Sequence, residues 1–159
     1  MPTRQTGVKA QRGVALIEVL IAFLILSVGL VGFSALQVRA VKATQSSLQR
    51  TDAAMLANFI LESMRANKAA AIDPALPYNL ATNTCTAPDA STSLASTDLA
   101  AWFSVLKTAL GNVASTCADI TCTNSNSTTP GVCTVNVYWD DSRALGGSAT
   151  QTVQMVSRL

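Results

Sequence analysis

Residues 12–36 read RGVALIEVLIAFLILSVGLVGFSAL, and between Val14 and Leu36 the one charged side chain is Glu18. As a helix rising about 1.5 Å per residue, this run of roughly 23 residues covers roughly 34 Å, against about 30 Å for a bilayer core. Apolar runs of that length are rare in the buried helices of water-soluble domains, so the stretch predicts a membrane-spanning helix. A carboxylate inside such a helix costs about 2.5 kcal/mol or more unless it finds a partner or water. Glu18 lies near the start of the run, where a side chain can reach the interface; the alternative is a specific cationic partner.

Upstream, Arg4, Lys9 and Arg12 fall in a thirteen-residue segment without an acid. Removing them leaves eight of the 11 basic residues against 9 acidic ones, so the basicity belongs to the leader. The body has no Lys/Arg cluster to neutralise a row of phosphates, which argues against nucleic-acid binding. Arg39, Lys42 and Arg50 follow the span, so the tally of flanking charges is near a tie. The proximity of the basic leader favours a cytoplasmic N-terminus. A chain of 159 residues holds one modest domain plus an appendage. It contains no histidine, which removes Ser-His-Asp, Cys-His and HExxH chemistry, and no residue is assigned a catalytic role.

Downstream, no proline occurs between Pro2 and Pro74, and the Ala/Leu/Gln/Arg-rich stretch extends the helix to about Lys68. Val41, Leu48, Met55, Phe59 and Ile60, with Leu56 and Met64 beside them, are expected to form its apolar stripe. Gly29 and Gly32 are candidate soft points. From Ala70 to Ser96, Pro74, Pro77 and Pro88 among Ser, Thr, Asn and Ala predict an irregular loop. Thr97 or Asp98 is expected to cap a helix running to Leu110, with Leu99, Trp102, Phe103, Leu106 and Leu110 on its core face and Gly111 at its end. The tract 117–133 reads as turn-rich, and its Asn126-Ser127-Thr128 sequon as coincidence. Val132–Trp139 and Thr150–Val156 are predicted antiparallel strands. Asp140-Asp141 and Gly146-Gly147 make their connection; the aspartate pair is read as a turn rather than a calcium site.

Cys85, Cys117, Cys122 and Cys133 all follow the span. An even set in a loop-rich domain points to two disulfides and an oxidising compartment, which places the C-terminal body outside the cytoplasm. A zinc site is disfavoured because CxxC knuckles are missing, and no metal or cofactor is expected. Four cysteines allow three pairings; Cys122–Cys133 with Cys85–Cys117 is the expectation adopted, and the sequence does not choose.

The segment Arg12-Gly13-Val14-Ala15-Leu16-Ile17-Glu18-Val19-Leu20 resembles the class III signal of type IV pilins and pseudopilins. The likeness extends through GVALIEVLIAFLILSVGLVGFSALQ and MLANFILESMRANKAAA, and more weakly through VCTVNVYWDD. In that family a basic leader ends in glycine, and a membrane peptidase cuts behind it and methylates the new terminus. The apolar segment is then retained. The resemblance implies cleavage between Gly13 and Val14, N-methylation at Val14, and Glu18 as the glutamate that sets register in assembly. It implies an α+β pilin-like fold, a long N-terminal helix on a small antiparallel sheet with disulfide-stapled loops. The expected divisions are a leader at 1–13, a transmembrane and assembly half-helix at 14–36, an amphipathic half-helix at 37–70 and a periplasmic head at 71–159. The implied partners are a prepilin peptidase/N-methyltransferase, other minor pilins and the major pilin, an inner-membrane assembly platform and membrane lipid. The helix lacks the mid-helix proline common in major pilins, so a minor pilin acting in assembly, adhesion and twitching motility is the expected role. The alternatives are a minor pseudopilin of a type II secretion system and a signal-anchored periplasmic binding module.

Overall fold

The computed structural model describes residues 12–90, 93–123, 131–144 and 146–159, and for residues 12–15 the backbone alone. Arg4, Lys9 and the Asn126-Ser127-Thr128 sequon lie outside the described residues. Helix α1 (Arg12–Ala66) spans 55 residues. Gly29 and Gly32 do not interrupt it, and each has open space where a Cβ would stand. Two compact units divide between Val41 and Lys42. The first is helical throughout its described part. Its large apolar side chains, from Leu16 to Val41, are all more than half exposed.

In the second unit, α1 packs through Ala53, Ala57, Ile60, Leu61 and Met64, all buried. This corrects the expected stripe. Ile60 and Met64 are in the core and Leu56 packs against it, but Val41, Leu48, Met55 and Phe59 are 57–66% exposed. The buried row follows the i, i+4, i+7, i+11 spacing of one helix face. Two of its members are alanines, whose small side chains let neighbouring elements approach the helix closely. The larger apolar residues project from another face of the same helix.

Helix α1 stops at Ala66, and Asn67 bridges to the short α2 (Lys68–Ala71), its N–H donating to the Ser63 carbonyl at 3.0 Å. The sheet is wholly antiparallel and has four strands in chain order: β1 (Leu80–Thr84), β2 (Cys117–Cys122), β3 (Val132–Trp139) and β4 (Gln151–Arg158). β3 has the expected bounds. β1 and β2 replace expected loop and turn-rich tract. Their sequences conceal them for different reasons. In LATNT the three middle residues are exposed, and pairing shifts register between Leu80 and Thr84, where Asn83 adopts φ 55°. In CADITC all residues but Thr121 are buried, because the core covers one face and the Cys85 cystine, Asn136 and Tyr138 cover Cys117 and Asp119 on the other, so no alternation is visible.

Helix α3 (Leu94–Leu110) begins earlier than expected. Ser93 is the cap, its hydroxyl oxygen accepting the Ser96 N–H at 3.1 Å, so neither Thr97 nor Asp98 has that role. Its core face is as expected: Leu99, Trp102, Phe103, Leu106 and Leu110 are buried. Gly111 closes the helix at φ 106°, a conformation that L side chains resist. Lys107 reinforces this end, its ammonium donating to the carbonyls of Val113 (2.8 Å) and Thr116 (2.6 Å). Burial lowers the Lys107 pKa. These residues join Ala118, Ile120, Cys122, Cys133, Val135, Val137 and Trp139 from the inner sheet face in one core. Trp102 ties α3 to α1 directly, its indole N–H donating to the Leu56 carbonyl at 2.9 Å. Its ring meets Phe103 edge-on at 5.4 Å between centroids.

The β3–β4 connection folds back on α1. Asp140 makes the expected turn bond, accepting the Ser142 N–H at 2.8 Å, and this holds its carboxyl below the usual range. Asp141 is instead 4% exposed and accepts the Ser46 hydroxyl at 2.5 Å, an attachment the turn reading did not include. Gly147 is required here, because a Cβ would fall 1.8 Å from the Asp141 carbonyl oxygen.

Candidate functional site

The candidate site is the first third of α1. Gly13 and Val14 stand in its opening turn, as backbone only. Glu18 follows one helical turn after Val14, about 6 Å along the axis. It is exposed, and Leu16, Ile17, Val19, Leu20 and Ile21 around it are 53–66% exposed. Among the described residues Glu18 has no hydrogen bond or ion pair. The helix contains an 18-residue window of mean hydropathy 2.6, none of it buried, so it is long and apolar enough to cross a membrane. A charge in that setting needs a countercharge or water close by.

The four cysteines occupy the other end of the chain's chemistry. They form Cys85–Cys117 and Cys122–Cys133, the two pairs named from the sequence. Each anchors one end of β2, the first on the segment after β1 and the second on β3. Cys122 and Cys133 stand directly opposite each other in the ladder, where side chains approach closely enough to bond. In the chain-entropy picture, closing loops of 32 and 11 residues stabilises by about 4 and about 3 kcal/mol.

Two polar clusters complete the head. The Tyr78 hydroxyl donates to Asp98 at 2.6 Å and accepts from Asn67 at 3.1 Å, joining the end of α1 to α3. Asp119, 5% exposed, accepts from Asn136 (2.6 Å) and Tyr138 (2.7 Å). Asp98 and Asp119 act as acceptors for phenols, roles that sequence spacing does not advertise. Burial and the Asp98 bond push the Tyr78 pKa up to about 12; the Asp119 bond and burial do the same for Tyr138. In both clusters the carboxylate is engaged as an acceptor, and among the described residues no group of three or more His, Cys, Asp or Glu could hold a metal ion.

These are the only two tyrosines in the chain, which makes them directly observable. Both hold their proton more tightly folded than unfolded. Their contribution to stability is therefore fully present below pH 10 and declines as pH rises from about 10 towards about 12. A spectrophotometric phenol titration should show both ionising near 12 in the folded protein and near 10 in denaturant. Ionisation of either tyrosine near 10 in the folded state would contradict its hydrogen bond.

Two protein-family models match this chain. A prokaryotic N-terminal methylation motif covers residues 8–34, which includes Gly13, Val14 and Glu18. Type IV pilin Tt1218 covers residues 35–105, from mid-α1 into α3. Over residues 35–105 the chain is similar to a type IV pilin. The two matches abut and together support a type IV pilin family. The fold is consistent with a pilin fold: a long N-terminal apolar helix on a small antiparallel four-strand sheet, with two disulfides. No curated protein and no solved structure matches the chain. The motif supports a pilin role that includes prepilin processing, membrane anchoring by one helix and assembly with other pilins.

Proposed function

We propose that the chain is a minor type IV pilin, of the kind called type IV pilus modification protein PilV, that primes pilus assembly and supports adhesion and twitching motility. In this reading residues 1–13 are the leader. A prepilin peptidase/N-methyltransferase cuts between Gly13 and Val14 on the cytoplasmic side and methylates Val14. Residues 14–36 hold the protein in the bacterial inner membrane, residues 37–70 continue the helix outside it, and residues 71–159 form a periplasmic head with Cys85, Cys117, Cys122 and Cys133 oxidised. The assembly platform then draws the subunit into a fibre with other minor pilins and the major pilin.

The observation that carries the reading is Glu18, the lone acid of the exposed apolar run, five residues after a glycine and within the matched methylation motif. Cleavage creates a cationic amine on Val14. Buried alone, that amine and the Glu18 carboxylate would each be strongly unfavourable; facing each other on neighbouring subunits, each offsets much of the other's desolvation. The exposed row Val41, Leu48, Met55 and Phe59 supports the same reading, since it supplies apolar surface to a neighbouring subunit's helix beyond the membrane.

The test is the intact mass of the protein purified from piliated cells. A species beginning at Val14 and carrying one added methyl group is expected. A species that retains residues 1–13 would overturn the processing assignment.

A further inference from the structure

The sheet has two edges, and they are finished differently. β1 is five residues long, slips register against β2, carries Asn83 at φ 55° and runs into the cystine at Cys85. Short length, irregularity and a covalent tie are what blunt an edge against further pairing. β4 has none of them. It is eight residues long, in unbroken register with β3, free of proline, and charged at Arg158 alone.

The register determines which β4 backbone groups are engaged. The Leu159 N–H donates to the Gly131 carbonyl at 3.1 Å, and hydrogen-bonded pairs alternate along an antiparallel ladder. Gln151, Val153, Met155 and Ser157 therefore bond to β3, while Thr152, Gln154, Val156 and Arg158 aim their N–H and C=O groups outward. Among the described residues these four have no backbone partner on that side. All four side chains are exposed, Val156 by 61%.

The surroundings of this edge are basic. The Arg50 guanidinium donates to Gln151 Oε1 at 3.1 Å and that of Arg65 to the Ser157 hydroxyl, so α1 lays one arginine at each end of β4. Arg158 adds a third. The nearby acids are engaged: Glu62 is paired with Arg65, and Asp141, in the cleft it shares with Arg50 and Gln151, accepts the Ser46 hydroxyl.

We propose that the outer edge of β4 is a docking site for an extended, acidic segment of a partner protein, which adds to the sheet as a fifth strand. Main-chain hydrogen bonds to Thr152, Gln154, Val156 and Arg158 supply the attachment, and Arg50, Arg65 and Arg158 select for carboxylates. The proposal rests on the sheet edge and does not depend on the pilus reading.

The test is residue-resolved amide hydrogen exchange on the full-length protein in detergent micelles, with two synthetic probes. One is an alternating glutamate–valine heptapeptide and the other its lysine–valine counterpart. In the free protein the amides of 152, 154, 156 and 158 should exchange fast and those of 153, 155 and 157 slowly. The acidic peptide should slow the first set by about tenfold or more and leave the second unchanged, whereas the lysine peptide should do neither. Val156→Pro removes an outward N–H that β3 does not use, a change edges tolerate, and should abolish the peptide effect while the β3-bonded amides stay slow. Replacing Arg50 and Arg158 by glutamate should transfer the effect to the lysine peptide. Slow exchange of the outward set in the free protein, or no response to the acidic peptide, would overturn the docking edge. An equal response to both peptides would overturn the acidic partner.

Discussion

Glu18→Ala is expected to insert into the membrane and fold as the parent does, yet to be lost from pili by at least about tenfold relative to the parent. The substitution removes the single charge of the apolar run, so insertion becomes easier, by less than the roughly 2.5 kcal/mol that a charge at the centre of a span costs. The head should fold unchanged, because its core is built from Ala53 onward. What changes is the assembled state. A Val14 amine arriving beside a neighbour without Glu18 would be a buried cation left uncompensated, and breaking such a pair costs about 3–5 kcal/mol. Quantifying the protein in sheared pili against membranes measures the effect. Parent-level incorporation would remove Glu18 from the assembly mechanism. Glu18→Gln separates charge from size and should behave like the alanine variant, because an amide cannot neutralise an ammonium.

Trp102→Ala should be the most damaging single change in the head, at about 3–5 kcal/mol. The indole is fully buried, so its loss opens a large cavity where α3 meets α1. It also abandons the Leu56 carbonyl, which sits on a helix already using its neighbouring groups, and the edge-on contact with Phe103. Trp102→Phe isolates part of this: it keeps most of the volume but not the 2.9 Å hydrogen bond, and should cost about half as much or less. Thermal or urea unfolding of the disulfide-intact protein gives both values. A loss under about 1 kcal/mol for the alanine variant would mean that α3 is not pinned to α1 at this point.

Part of the fold is legible in the sequence. The length of the apolar run, the weak β-branched alternation of Val132–Trp139 and the helical spacing of the α3 core face each carry a local signal, and each element appears where that signal puts it. β1 and β2 did not announce themselves because neither has one. β1 leans on its register partners and on the cystine that follows it, and β2 is buried on both faces. The buried stripe on α1 is hidden in the sequence for a related reason. Hydrophobicity ranks Leu48, Met55 and Phe59 above Ala53 and Ala57, but close packing against a sheet selects small side chains. Surface apolar residues on that helix are then left for some other neighbour. At the candidate site, Gly13, Val14 and Glu18 were legible as a motif with fixed spacing. Asp98, Asp119 and Asp141 were not, since their partners Tyr78, Tyr138 and Ser46 are brought to them by the tertiary fold.

The cystines at the two ends of β2 bear on what happens when such a molecule is pulled. Under tension a head unravels by surrendering slack, and the closed segments of 32 and 11 residues cannot contribute theirs. At about 3.4 Å per residue, that withholds on the order of 140 Å of extension. The stretches left to yield flank the cross-linked middle, so a tugged head would give way from its rims inward and recoil around a centre that never came apart.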